Sequence, residues 1–379
     1  PTCYVFIFVN SRSGNRQGRY LIDINIQNFR LKNNPFVQVQ IYNFLDEVDR
    51  NAGIRYLRTL QLASAGPNNY LKIDQLHVWS AGGDGTFMGV ISGLIRNEID
   101  ITDERLLFCV IPFGTGNDLS QVMGWGRSVP DNDPAGKHLD TLNDLVERRL
   151  KGLKARLDIW EVEIQAAPGG YIQKAIKLDS EYSKVWGEPR QKLVRIMSNY
   201  ASLGVQGYVG VGFERNRRNS RFMNIIEYTK QSVMWTLIKT IPSISQYLTT
   251  IENGDVTIPA EDIAPSRAEL KKLKKSGGIS RKRARTMRHK PVELIIENIP
   301  AIWGRHVDLW AGAKMEDGYV TKPDGPTAMK NWAPQKASDG MLEVFSISNL
   351  WSYFKKQLPW ARDHLRRIGQ FTGPLRFNF

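Results

Sequence analysis

The residue types most able to do chemistry in this chain sit in two glycine-rich stretches, Gly82-Gly-Asp-Gly-Thr86 and Gly114-Thr-Gly-Asn-Asp118. Each follows a short apolar run, Leu76-His-Val-Trp79 and Leu106-Leu-Phe-Cys-Val-Ile111. Each also precedes a segment of helical spacing, residues 87–95 and 119–123. Strand, glycine turn and helix together aim free backbone N–H groups and the positive end of a helix at one point, which suits a phosphate. Glycine serves there because a side chain would block the approach. Neither stretch has the glycine spacing and downstream acid of a dinucleotide fingerprint, and neither ends in Gly-Lys-Ser/Thr as a P-loop does.

The acids near these turns are the candidates for metal and proton work. Asp84, alone among glycines, suits a Mg²⁺ ligand or a base, against the plainer reading of a turn Asp bonding its own backbone. Asn117 and Asp118 offer an amide and a carboxylate for a ribose or a metal-bound water. Asp339 precedes Gly340 and then a strand, so its carboxylate stands at a strand entrance. Glu343 falls on the same face of that strand, either supporting a metal through water or facing solvent. Five histidines are scattered without Cys/His ligand spacing, so a zinc centre is not expected.

Periodicity outlines what must position these residues. Apolar runs at 4–9, 37–42, 76–79 and 106–111 read as strands, with helical patterns at 46–63 and 87–95 between them and another at 141–150 after the last. That alternation predicts a wound parallel sheet, with both glycine turns at the carboxyl ends of its strands. Beyond residue 156 the pattern changes to strand-like runs at 158–164, 171–178, 194–205, 292–299 and 341–347. The fold class is therefore α/β plus β: an N-terminal domain over 1–155 and a mostly antiparallel, sandwich-like domain over 156–379. One helix is expected within the second domain at 222–238, where Met223, Ile226, Met234 and Leu237 read as core.

Composition narrows the setting. The two cysteines, Cys3 and Cys109, lie in apolar runs and read as buried thiols of a reducing compartment. No run is long and apolar enough to span a bilayer, and the first residues lack the basic start of a signal peptide, so a segment of a longer product is expected. Formal net charge is +14, and residues 267–290 hold eleven Lys/Arg against one acid. Such a run is a solvated loop, a phosphate-binding patch or a docking patch for an anionic bilayer, and the membrane surface is the favoured reading. With no aromatic residue interleaved, nucleic acid is not an expected partner.

Gly82-Gly-Asp-Gly-Thr86 resembles the nucleotide-binding signature of the diacylglycerol kinase catalytic domain, shared more loosely with sphingosine, ceramide and NAD kinases. Ile111-Pro-Phe-Gly-Thr-Gly-Asn-Asp-Leu119 and Met123-Gly-Trp-Gly126 look like the diacylglycerol kinase version. Phe8-Val-Asn-Ser-Arg-Ser-Gly14 is similar to the family's Asn-Pro-x-Ser-Gly turn, with Ser11 in the place of proline. Leu157-Asp-Ile-Trp160, Ser198-Asn-Tyr-Ala-Ser-Leu-Gly-Val205, Asn298-Ile-Pro-Ala-Ile-Trp303 with Asp308-Leu-Trp310, and Asp339-Gly-Met-Leu-Glu343 follow in the family's order. The resemblance spans nearly the whole chain, short of a closing strand that the family has beyond Arg367-Ile-Gly-Gln370.

This resemblance implies ATP-dependent phosphorylation of the free hydroxyl of diacylglycerol, giving phosphatidate, with Mg²⁺, by a cytoplasmic enzyme working peripherally at membranes. The nucleotide cradle would comprise Asn10, Ser13, Gly14, Gly82, Gly83, Gly85, Thr86, Gly114, Thr115, Gly116, Asn117 and Asp118. Bacterial relatives assign the general base to the carboxylate matching Asp339, and sphingosine kinases to that matching Asp84. The residues leave both open, with Asp84 and Glu343 as metal ligands. A sphingoid-base or ceramide kinase would use the same cradle, and a non-catalytic phosphate- or membrane-binding module is the reading from a different class.

Overall fold

The computed structural model describes residues 2–13, 16–65, 71–114, 116–129, 133–177, 184–216, 221–235, 243–260, 271–272, 275–277, 291–300, 309–313, 319–322, 325–327, 332–347 and 365–379. Gly14, Thr115 and most of the basic segment 267–290 lie outside them. The described residues divide into two compact units, one up to Ala155 and one from Arg156 onward.

The first unit is built on five strands: β1 (Cys3–Val9), β2 (Asn28–Arg30), β3 (Val37–Asn43), β4 (Gln75–Gly82) and β5 (Leu106–Pro112). Their order across the sheet is β2-β3-β1-β4-β5. β3, β1, β4 and β5 run parallel, but β2 pairs antiparallel with β3 and makes the sheet mixed, correcting the expected all-parallel form. The reason is local: β2 is three residues long and returns through a short turn, which permits only an antiparallel partner.

Helices cover both faces of this sheet: α1 (Gln17–Asp23), α2 (Glu47–Ser64), α3 (Asp84–Arg96), α4 (Asp118–Val122) and α5 (Asp140–Leu150). Strand alternation sorts the core into two layers. Val5, Ile7 and Val9 pack with Leu21 of α1 and with Leu142, Leu145 and Val146 of α5. Tyr4, Phe6 and Phe8 pack with Ile54 and Leu57 of α2 and with Val90 and Leu94 of α3. The start of α2 is secured by Asp46, whose carboxylate accepts the N–H groups of Val48 and Asp49 at 2.9 and 3.0 Å.

The winding makes a crevice. The chain leaves β1 toward one side of the sheet and leaves β4 toward the other, so the loops after these neighbouring strands diverge. Their carboxyl ends form the switch point at which open α/β sheets bind ligands. Asn10 and Gly82 stand there.

The second unit contains thirteen described strands. β6 (Trp160–Gln165) pairs with β9 (Lys192–Met197), and β7 (Ala175–Lys177) with β8 (Lys184–Trp186). A six-stranded sheet has the order β10-β13-β16-β17-β14-β15, from β10 (Tyr200–Gly204), β13 (Glu293–Glu297), β14 (Tyr319–Lys322), β15 (Gly325–Thr327), β16 (Met341–Ile347) and β17 (Leu365–Thr372). A three-stranded sheet joins β12 (Val256–Pro259), β11 (Thr250–Asn253) and β18 (Leu375–Asn378). Every pairing is antiparallel except β14 with β17. Leu294, Val344 and Phe371 of the larger sheet share one core with Ile251 and Ile258 of the smaller and with Trp160.

Two expectations are corrected here. The run 194–205 is two strands and a helix start, broken at Ser198-Asn199. Fully buried Asn298 pins that corner, its Nδ2 donating to the carbonyls of Ser198 and Asp158 at 2.6 and 3.1 Å and its Oδ1 accepting from Trp160 Nε1 at 3.0 Å. Gly204, at φ 128°, then turns the chain into α6 (Val205–Arg215), where a Cβ would stand 2.2 Å from the Val292 carbonyl oxygen. The second correction concerns α7 (Arg221–Val233), the helix expected over 222–238. Met223 and Ile226 are exposed, and Glu227 and Gln231 are buried instead, their side chains hydrogen-bonded at 2.7 Å. A hydrogen bond between the two lets polar side chains occupy the inner face, which periodicity of apolar residues does not reveal.

Candidate active site

The glycine turns meet above the carboxyl ends of β4 and β5. Gly83 and Gly114 touch backbone to backbone: a Cβ on Gly114 would lie 2.4 Å from Gly83 Cα and 2.6 Å from Asn117 Oδ1. The Gly114 N–H also donates to the Gly82 carbonyl at 3.2 Å. Gly82 is held to glycine by Thr86, whose Oγ1 would stand 2.4 Å from a Cβ there. Gly85 differs. It is exposed, and a Cβ there would meet nothing within 4 Å, so the space above the first turn of α3 is open.

The first loop joins this pair. Asn10 Nδ2 donates to Thr86 Oγ1 at 3.0 Å, and Asn10 Oδ1 accepts the Arg12 N–H at 3.1 Å. Ser13 donates its N–H to the Asn10 carbonyl at 3.1 Å, closing a tight turn. Asn10, Ser13, Gly82, Gly83, Asp84, Gly85, Thr86, Gly114, Gly116, Asn117 and Asp118 therefore all belong to one wall of the first unit, three loops deep.

Asp84 bridges the two glycine turns. Its Oδ2 accepts the Asp118 N–H at 2.9 Å and its Oδ1 the Leu119 N–H at 3.0 Å. A carboxylate thus caps the first turn of α4 from another helix, satisfying donors that no helix can satisfy internally. Asn117 sits in the left-handed region at φ 56°, ψ 45°, which asparagine tolerates better than most residues. Its Nδ2 donates to the carbonyls of Gly114 and Arg127 at 2.9 and 2.7 Å, and the side chain is enclosed. The Nδ2 half of the amide is thus engaged in holding the turn, while Oδ1 is buried without a hydrogen-bond partner. Reading missed this because its partner, the Arg127 carbonyl, carries no signature in side-chain identity.

Asp339 and Glu343 belong to the second unit. Asp339 is exposed, its Oδ1 accepting the Met341 N–H at 3.1 Å beside positive-φ Gly340. Partial desolvation of the carboxyl, joined by the neighbouring Asp158 charge, raises its pKa against the opposing Met341 N–H. Glu343 does not face solvent. It is 0% exposed, in register between Glu297 of β13 and Gln370 of β17. Its Oε1 accepts from Gln370 Nε2 at 3.0 Å, while Oε2 is buried without a hydrogen-bond partner. Burial, with some contribution from the Asp339 charge, pushes its carboxyl up to about 8. Such a group is largely neutral near pH 7, which suits a hydrogen bond better than a cation. Among the described residues, no three His, Cys, Asp or Glu side chains gather as a metal site, and no helix is long and apolar enough to cross a membrane.

Known proteins supply the context for this wall of glycine turns. The diacylglycerol kinase catalytic domain matches residues 4–150 and the diacylglycerol kinase accessory domain residues 196–379. Human diacylglycerol kinase iota is 26% identical over 273 residues, covering 70% of this chain and 21% of its own length. Human diacylglycerol kinase zeta is 24% identical over 272 residues, covering 69% and 24%. Diacylglycerol kinase 1 of Arabidopsis thaliana is 24% identical over 373 residues, covering 97% of this chain and 39% of its own length. The chain thus spans between about a fifth and two fifths of these relatives. Two matched domains, in order and over most of the sequence, account for both the glycine turns and the β-rich unit that follows: the chain belongs to the diacylglycerol kinase family.

Proposed function

We propose that this chain is the catalytic core of an ATP-dependent diacylglycerol kinase, acting peripherally at a membrane surface. The lipid hydroxyl oxygen bonds to the γ-phosphorus of ATP as the bond from that phosphorus to the ADP oxygen breaks. The hydroxyl proton passes to a carboxylate. Such a transfer needs positioning and charge compensation more than covalent chemistry. The observation that carries the reading is the Asp84 bridge, which locks two phosphate-cradling turns into one rigid wall and leaves the space over Gly85 open.

Mg²⁺ takes one or two carboxylates and completes its shell with phosphate oxygens and water. Asp84 fits that demand, since each of its oxygens keeps a lone pair after accepting one N–H. When bound, the ion would neutralise charge developing on the transferred phosphoryl group. Asp339, with its raised carboxyl, has the character of a proton acceptor and is the base in this reading. The basic segment 267–290, mostly outside the described residues, would hold the enzyme to anionic lipid.

The test is direct. Purified protein, labelled ATP and mixed micelles of diacylglycerol, ceramide or sphingosine are incubated, and products are separated by chromatography. Labelled phosphatidate is the expected result. Phosphorylation of ceramide or sphingosine alone would move the assignment to those lipids, and no transfer to any lipid would leave a binding module.

A further inference from the structure

The motif Met123-Gly-Trp-Gly126 has no part in the cradle, yet the fold takes trouble to place it. Gly124 and Gly126 both adopt left-handed backbone, at φ 77° and 79°, and turn the chain sharply on either side of Trp125. The Trp125 N–H donates to the Ser120 carbonyl at 3.0 Å, and the following Arg127 carbonyl is the one gripped by Asn117. A Cβ on Gly152 would lie 3.0 Å from the indole, so the ring is backed by main chain.

The indole faces the last turn of α5. Arg149 lies with its guanidinium carbon 4.6 Å from the ring centroid, and its Nη1 donates to Cys109 Sγ at 3.6 Å. Among the described residues, no carboxylate lies within ion-pair distance of the Arg149 side chain, and the thiol and the ring are its only polar or aromatic partners. A partly enclosed guanidinium normally has an anion, because desolvating its charge is costly otherwise. Here that cost shows as a lowered pKa, caused first by burial.

Beside it opens a small recess of about 130 Å³ lined by Trp125, Ser128, Val129, Leu145, Arg148 and Arg149. Arg148 is exposed, its Nε turned to the Asp144 carbonyl at 3.3 Å. Two guanidinium groups and a hydroxyl therefore border one cavity whose remaining walls are apolar and aromatic. Planar guanidinium forks match phosphate oxygens bidentately, and the indole and Leu145 offer contact to whatever carries the phosphate.

We propose that this recess is a binding site for a phosphate-bearing small anion, distinct from the glycine cradle, with Arg149 and Arg148 as its charge partners. Free phosphate, a nucleotide and a phosphorylated lipid share this chemistry. Because the Trp125 segment hangs from Asn117, occupancy of the recess bears on the second glycine turn.

The test follows the Trp125 indole N–H resonance in ¹⁵N-labelled protein, assigned with Trp125→Phe. Inorganic phosphate, ADP and dihexanoyl phosphatidate are titrated separately. A saturable shift with at least one probe is expected, and the probe that moves it identifies the source of the phosphate. In Arg149→Met, which keeps an apolar contact with the ring, apparent affinity should fall about tenfold or more, as for loss of a charged hydrogen bond. Arg148→Gln, on an exposed side chain, should weaken the same titration while preserving the melting temperature. An indole resonance unmoved by all three probes overturns the proposal, as does an unchanged titration in both arginine variants.

Discussion

Asp84 accepts the backbone N–H of Asp118 at 2.9 Å across 34 residues of sequence, and this bond ties the two glycine turns into one unit. A residue that reads as a lone chemical group among glycines is also the cap of the neighbouring helix.

Asp84→Asn removes one of two acceptor oxygens and sets an amide against a backbone donor. Turnover should fall about a hundredfold or more if the carboxylate also serves the reaction, and stability should fall by about 1–3 kcal/mol through the orphaned N–H. Kinase assays and thermal melts on the same preparation read both. Wild-type turnover with a lowered melting temperature would leave Asp84 as a cap alone.

Gly114→Ala and Gly85→Ala separate packing from ligand approach. The Gly114 Cβ would collide with Gly83 Cα at 2.4 Å, so the turns must part, at a cost of about 1–3 kcal/mol. The Gly85 Cβ meets only open space, so melting should be unchanged while KM for ATP rises. Equal melting of the two variants would show that the turns do not touch in solution.

Glu343 carries a proton up to about pH 8 in the folded chain, against 4.5 for an ordinary glutamate. Between those values the folded state holds the extra proton, so stability falls as pH rises through the window. Glu343→Gln, already neutral, should lose that slope and gain more in melting temperature near about pH 8 than near about pH 5. Parallel pH curves for the two proteins would contradict the burial argument.

Asp339→Asn tests the assignment of the base. Loss of a proton acceptor should lower kcat strongly with little change in ATP affinity, because the interaction matters in the transition state. Near-normal kcat in Asp339→Asn would reduce the residue to a turn former.

Much of the first unit was legible. Apolar runs alternate with helical spacing from β1 through β5, and the helical pattern at 46–63 matches α2 to within a residue. Short polar strands were not legible: Asn28-Phe-Arg30 has no apolar run, and β2 exists because β3 offers it an edge. In the second unit the break at Ser198 depends on Asn298, a hundred residues further on. In α7 the buried positions include Glu227 and Gln231, so apolar spacing put Met223 and Ile226 on the wrong side.

The sequence by itself determined the family, the two glycine turns and the sites where chemistry is possible, because local spacing dictates strand, turn and helix. Only the tertiary structure decided what each polar side chain is bonded to. Asp84 meets Asp118 because β4 and β5 lie side by side in parallel, and Glu343 is enclosed because the register places it between Glu297 and Gln370. Arg149 lies against Trp125 because α5 packs on the face that two left-handed glycines turn the indole toward. Strand order and register are set by the summed burial of the whole core, and no short stretch of sequence contains that sum.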